Sequence, residues 1–211
     1  VSLRKNIIVN ASTPGCCGFV TTLRGSNQNL GNYASSSNNN IFYTGIPSAT
    51  NLIYYDDFNS DQLISAFKTR VGPTAETNSF TGMPAFLSLV GSSPNFLHLN
   101  PAIASLAESR AVNIATYTTD IDVNIRQGNA GYVGTGTAPD IGADEIAGIF
   151  HETNAPVITF TDIPSPACIA SPKIITGVTI TDAAGIPLTG ALRPRIYYRR
   201  NTDPWFSQPG T

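Results

Sequence analysis

At 211 residues the chain suits one large domain or two modest ones. Hydrophobic residues make up 41%, enough for a sizeable core, while charged residues make up only 12%, against roughly 25% in ordinary globular proteins. A net charge of −2 with no basic stripe excludes a phosphate-seeking surface and so nucleic acid as a partner, and no apolar run reaches the about 18–20 residues of a membrane-spanning helix.

The opening "VSLRKNIIVNAS" has no initiator Met and no leader-length apolar run, so a chain cut from something longer is expected. Up to residue 100, short apolar bursts alternate with polar loops: "NIIVN" (6–10), "FVTTL" (19–23), "NIFYT" (40–44), "NLIYY" (51–55), "PAFLSLV" (84–90) and "NFLHLN" (95–100). Their length and their β-branched and aromatic content predict strands. Residues 61–70, "DQLISAFKTR", are the exception: the spacing of Leu63, Ile64 and Phe67 predicts a helix, with Asp61 or Ser60 as its cap and Lys68 and Arg70 as surface charges. Two-residue hairpin turns are missing between the bursts, which favours a coil of parallel strands with outward-bulging loops over an antiparallel meander. In such a coil "NIIVN" and "NIFYT" occupy the same position in two turns and stack Asn6 on Asn40; the alternative is two unrelated asparagines at strand starts. Cys16 and Cys17 are adjacent, an arrangement that strains a bridge between them; with Cys168 the count is odd, so at least one thiol is free within a single chain.

In "TTDIDVNIRQ" (118–127), Asp120, Asp122, Asn124 and Arg126 alternate with Ile121, Val123 and Ile125, which predicts a strand with one buried and one wet face. Asp120, Asp122 and Asn124 also begin like a calcium loop, although Ile125 stands where that loop needs Gly and Gly131 where it needs Glu. A looser calcium site at strand-edge oxygens is the functional reading; a solvated face with Arg126 paired to one aspartate is the bland one. Next comes "TAPDIGADEIAG" (137–148), with Asp140, Asp144 and Glu145 close together. On a strand Asp140 and Asp144 would share a face and Glu145 would oppose them. They suit either a glycosidase pair or, as expected here, the closing of the last turn of a coil, where small Gly142 and Ala143 allow close backbone approach and the acids accept from exposed donors. His98 and His151 are the only histidines, and neither has a Ser or Cys nucleophile motif beside it. Tyr54, Tyr55 and Tyr132 are candidates for stacking on sugar rings or for packing between turns.

At "HETNAP" (151–156) the texture changes. In the later stretches "VITF", "KIITGVTITDAAGIP" and "RPRIYYRR", Val178 and Ile180 oppose Thr179 and Thr181, "DAAG" forms a turn, and Ile196 and Tyr198 alternate with Arg195, Tyr197 and Arg199. This predicts antiparallel strands and a division into residues 1–151 and 152–211. A sandwich normally has about 100 residues and seven strands, so the second part is expected to be incomplete.

Several segments, in order, carry a family likeness: "NNIFYTG" (39–45), residues 63–67, "NSF" (78–80), "PAF" (84–86), "FLHLNPAIA" (96–104), "TDIDVNIR" (119–126) and "PDIGADE" (139–145). Together they resemble the C-terminal rungs of right-handed parallel β-helix proteins of the pectate-lyase-like fold. The type is frequent in secreted and surface proteins of Bacteroidota, whose usual ending resembles "HL…SPAI…TDIDGxxR…DIGAxE". The likeness covers roughly residues 1–148 and is most specific in its last two motifs; Asn100 replaces the usual Ser and Asn124 the usual Gly of the "DIDG" turn. Residues 154–211 resemble the opening of the immunoglobulin-like repeat that often follows.

The resemblance implies an all-β chain: the end of a parallel β-helix followed by part of an immunoglobulin-like β-sandwich. It further implies export, calcium-rich surroundings and neighbouring domains in a longer chain. The function expected is that of a structural or adhesive segment of a large secreted or cell-surface protein, with polysaccharide or other surface proteins as partners. Two alternatives stay open: the C-terminal part of a β-helix polysaccharide lyase or glycoside hydrolase whose catalytic rungs lie upstream, and a carbohydrate-binding module. No catalytic or cofactor-binding residue is assigned, and Asp120, Asp122 and Asn124 are the metal candidates.

Overall fold

The apolar bursts of the first half are too short to bury themselves as hairpins, and they pair side by side across long loops. In the computed structural model, residues 1–161, 177–182, 185–187, 189–190, 193–199 and 202–209 are described. The chain divides into two compact units, Val1–His151 and Glu152–Thr211.

The first unit runs β1 (Ile7–Val9), β2 (Val20–Arg24), β3 (Ile41–Tyr43), β4 (Asn51–Tyr55), β5 (Ser60–Asp61), α1 (Ile64–Val71), β6 (Phe80–Thr81), β7 (Ala104–Ser105) and β8 (Ile149–Phe150). One sheet has the order β1-β3-β6 and is parallel throughout, with Ile7 opposite Ile41 and Ile41 opposite Phe80. In a second sheet β2 runs parallel to β4, Val20 opposite Asn51, and β5 returns antiparallel on β4. β7 and β8 form a third, parallel pair. Mostly strand with one short helix, the described chain is all-β, in small sheets.

Side chains alternate across a strand, and β3 uses this to serve two clusters at once. Ile41 joins Leu99, Ala107, Ala111 and Ile141, whereas Phe42 joins Ile53, Tyr54 and Phe67. The helix exists to deliver Phe67 to the second cluster, where its ring stacks on Tyr54 at 5.4 Å and meets Phe42 edge-on at 5.8 Å. Burying an aromatic side chain of this size contributes on the order of 2–3 kcal/mol.

Asn6 and Asn40 do stack: the Asn6 backbone N–H and side-chain amide both donate to Asn40 Oδ1, at 2.8 and 3.1 Å. The line continues inward, because the Asn40 amide donates to Glu76 and its backbone N–H donates to Ser79 Oγ.

Four expectations are corrected. The helix starts at Ile64 with Leu63 at its cap position and no side-chain cap; Ser60 and Asp61 lie in β5 instead. Arg70 is no simple surface charge, since Asp61 takes two hydrogen bonds of 2.6 Å from it, and Lys68 Nζ donates to the Thr77 carbonyl. "PAFLSLV" and "NFLHLN" form no strands; they pair through the isolated bridges Phe86–Leu99 and Ser88–Phe96 and backbone hydrogen bonds such as Leu87 N–H to the His98 carbonyl, and Leu97 at φ +59° breaks the extended run. "TTDIDVNIRQ" is a tight turn, as described below.

In the second unit β9 (Val157–Thr159) pairs antiparallel with β10 (Thr179–Thr181), and β11 (Arg195–Tyr198) with β12 (Phe206–Pro209). Past β10, the Gly185 N–H donates to the Asp182 carbonyl at 3.1 Å, while the two residues between, in the expected "DAAG" turn, lie outside the described residues. Cys168 lies outside the described residues. No described helix is long and apolar enough to cross a membrane.

Candidate functional site

An aspartate whose carboxylate can reach backbone N–H groups two to four residues on offers the chain an alternative to a strand. Asp120 does so. Its Oδ1 accepts from the N–H groups of Asp122 and Asn124, both at 2.8 Å, and its Oδ2 accepts from the Asn124 side chain and the Glu145 N–H. The chain doubles back, Thr119 bridging antiparallel to Ile125. The period-two pattern is thereby lost: Ile121 and Val123 are 68% and 75% exposed, and Asp122 and Asn124 between and beside them are exposed too, while Asp120 and Arg126 at the two ends are buried. The turn needs one left-handed residue, and that residue is Val123 (φ +69°), which stands where "TDIDGxxR" has its Gly when the motif is counted from Thr119; Asn124 is the next position.

The segment Pro139–Ala143 is stitched in on several sides by its backbone. Ile141 N–H donates to the Ala107 carbonyl, Gly142 N–H to Lys5, Ala111 N–H to Pro139 and Ile121 N–H to Ala143. Gly142 is required here, because its φ is +111° and a Cβ would stand 2.8 Å from Ile7 Cδ1. Asp140, Asp144 and Glu145 are all buried and all accept from backbone donors. Asp140 takes the Ser109 and Ile146 N–H groups at 2.7 and 2.8 Å, Asp144 the Leu99 N–H at 2.8 Å, and Glu145 the Gln127 and Asp140 N–H groups at 3.0 and 3.1 Å. The three acids do not sit on strand faces; each aims at a different loop.

Arg126 is the cationic hub of this cluster. Its buried guanidinium pairs with Glu145 at 3.0 Å and donates to the carbonyls of Gly142, Asp140 and Thr119. The expected pairing of Arg126 with an aspartate on a wet face is therefore replaced by a buried pair with Glu145. Burial pushes the Asp140 carboxyl up to about 7, against the pull of its two backbone donors, with neighbouring Glu108 and Glu145 adding to the rise. Lys5, also buried, is held below its usual value by burial first and Arg126 second, and its Nζ finds no hydrogen-bond partner among the described residues. A groove of about 650 Å³ runs past Lys5, Asn6, Asp120, Arg126 and Gly142.

Asp122 projects from the Asp120 turn toward His98, whose Nδ1 lies 3.3 Å from Asp122 Oδ2 and 3.5 Å from Asp144 Oδ2. Among the described residues these three are the group whose ligand atoms converge to within 4.8 Å. Of the calcium candidates, Asp122 joins this group; Asp120 and Asn124 are engaged with each other and with the turn backbone. His151 is exposed, and its carbonyl accepts from Arg110, whose guanidinium lies between the rings of Phe80 and Phe150 at 4.4 and 4.5 Å. The tyrosines form no common exposed row: Tyr54 is in the core, Tyr55 packs on Phe19 at 4.1 Å, and the Tyr132 hydroxyl accepts from the Gly136 N–H. Cys16 and Cys17 are free, exposed thiols with sulfurs 3.3 Å apart.

Sequence reasoning missed Glu76, Glu108 and Asp56, all buried acceptors. Asp56 alone left a local signal: in "DDFN" it accepts from the N–H groups of Phe58 and Asn59, the reach of an Asx turn. Comparison with protein-family models, with curated proteins and with solved structures finds no significant match.

Proposed function

We propose that the first unit is the closing end of a right-handed parallel β-helix and that the chain is a structural or adhesive segment of a large secreted or cell-surface protein. In this reading the second unit begins an immunoglobulin-like sandwich. Three features favour the coil. The sheet β1-β3-β6 is parallel, its equivalent residues fall 34 (Asn6 to Asn40) and 39 (Asn40 to Ser79) positions apart, and Lys5 and Asn39, at equivalent points before the stacked asparagines, both take φ near +57°. A solenoid buries each turn against the next and needs its end closed; residues 139–145, with their three acids, would do that.

The observation that carries the functional reading is the use of the acids. Asp140, Asp144 and Glu145 all accept backbone N–H groups, which suits holding loops and not proton transfer to a substrate. The test is incubation of the chain with acidic and neutral polysaccharides, following unsaturated products and new reducing ends, alongside retention of chain-coated beads on the same polysaccharides and on protein-coated surfaces. Retention without turnover is expected. Turnover that Glu145→Gln abolishes while the circular dichroism spectrum is kept would overturn the reading in favour of an enzyme.

A further inference from the structure

We propose that His98, Asp122 and Asp144 bind a divalent ion of the zinc class. The inference is independent of the reading above and rests on the geometry of the three side chains. A protonated imidazole paired with carboxylates makes hydrogen bonds of about 2.7–2.9 Å. Here His98 Nδ1 stands 3.3 Å from Asp122 Oδ2 and 3.5 Å from Asp144 Oδ2, too far from either for such a bond. Ligands at about 2.0–2.2 Å from a common ion, set at the tetrahedral angle, lie roughly 3.4 Å apart. The spacing is therefore that of a coordination edge.

The donors and their supports point the same way. One imidazole nitrogen with two carboxylates suits zinc or a similar borderline ion, whereas calcium takes oxygen alone. Each ligand comes from a separate loop and is fixed by backbone hydrogen bonds. The His98 carbonyl accepts the Leu87 N–H at 2.8 Å, the Asp122 N–H donates to Asp120 at 2.8 Å, and Asp144 is aimed by the Leu99 N–H. The three ligand atoms lie within 4.8 Å of one another. Side-chain exposure rises from 10% at Asp144 through 22% at His98 to 50% at Asp122. One side of the set is thus open for water or an external ligand to complete the coordination. A bound ion would add a direct link among three loops that hydrogen bonds and the cluster around Leu99 and Ile141 already bring together.

The test uses tag-free, chelator-stripped chain in which Cys16→Ser, Cys17→Ser and Cys168→Ser remove competing thiols. Zn²⁺ is titrated calorimetrically near neutral pH, and thermal unfolding is followed with and without the ion. The expected result is one ion per chain, a rise in Tm, and a shift of the His98 Nδ1 resonance with His151 unmoved. Asp122→Ala is expected to weaken binding at least about tenfold, the lower end of the roughly 10–100-fold that loss of even an outer-shell partner costs, with the Tm of the stripped protein unchanged because that side chain is half exposed. No saturable binding, or binding undiminished in both His98→Ala and Asp122→Ala, would overturn the proposal.

Discussion

Residues 1–81 and 82–151 of the first unit share a polar, loop-rich texture but hold their backbones differently. The first region uses ladders: β1, β3 and β6 pair in one sheet, β2 and β4 in another, and Phe42, Tyr54 and Phe67 fill the space beneath. The second has only the two-residue strands β7 and β8, and carboxylates stand where ladder carbonyls would. Asp120, Asp140, Asp144 and Glu145 reach out of one loop to the N–H groups of another. Where segments are too irregular to exchange N–H and C=O groups in series, a buried acid can satisfy two donors at once and fix the path of the chain between them.

The sharpest way to break this contrast is to damage each region through its own device. Glu145→Ala leaves the Arg126 guanidinium buried without its carboxylate and strips the partners from two N–H groups, so a loss of about 3–5 kcal/mol in denaturant unfolding is expected. Phe67→Ala is expected to cost a similar ~3–5 kcal/mol by opening a cavity under β3 and β4. Amide exchange separates the two. The first substitution loosens Gln127 and Asp140 before the β1-β3-β6 sheet, and the second does the reverse.

Titration sharpens the contrast further. Burial raises the Asp140 carboxyl to about 7 in the folded chain, above its ordinary 3.8, so the folded state holds a proton that the unfolded state has released. This contribution to stability is full below about pH 4 and is lost as pH rises toward about 7; in Asp140→Asn that part of the stability–pH curve flattens. Asp56 behaves oppositely. Burial pushes its carboxyl up, but hydrogen bonds from Asn59, Phe58 and Tyr54 outweigh that and hold it below its usual value. Its contribution is present above the unfolded value and is lost as pH falls through the folded one, so an Asp56→Asn variant loses that acid-side decline.

Smaller effects mark the edges of the account. Val123 holds a left-handed turn with a β-branched side chain, and Val123→Gly is expected to raise stability by about 1 kcal/mol as that strain is relieved. Arg24 and Asp57 form an exposed pair at 2.8 Å, and Arg24→Ala is expected to change unfolding by less than about 1 kcal/mol. A larger loss there would show that surface pairs, and not only buried acids, hold the loops.

The ladder region was largely legible because its signals are local. "NLIYY" is a strand over the residues its composition marks, the stacking of Asn6 on Asn40 follows from two similar bursts, and the Leu63, Ile64 and Phe67 spacing locates the helix to within a few residues. The loop region was less so. Perfect alternation in "TTDIDVNIRQ" misled because one Asp side chain, reaching its own backbone, outweighed the pattern. The left-handed residue of that turn, Val123, falls where "TDIDGxxR" carries Gly, so the motif held the signal for the turn even though Val is a residue that seldom takes such a conformation. The pairing of Arg126 with Glu145 joins residues 19 positions apart, and the approach of Asp144 to Leu99 spans 45; no local pattern encodes either. That the "PDIGADE" acids accept from the backbone was expected of a motif placed where stacking ends and donors are left over, but which donors they accept was not.

Amide hydrogen exchange of Leu99, Ser109, Gln127 and Ile146 tests the account most directly, because all four lie outside the strands and donate to the acids of one short motif. Protection comparable to that of the ladder amides Ile41 and Phe80 is predicted. Exchange of those four at open-loop rates, while Ile41 and Phe80 stay protected, would contradict it.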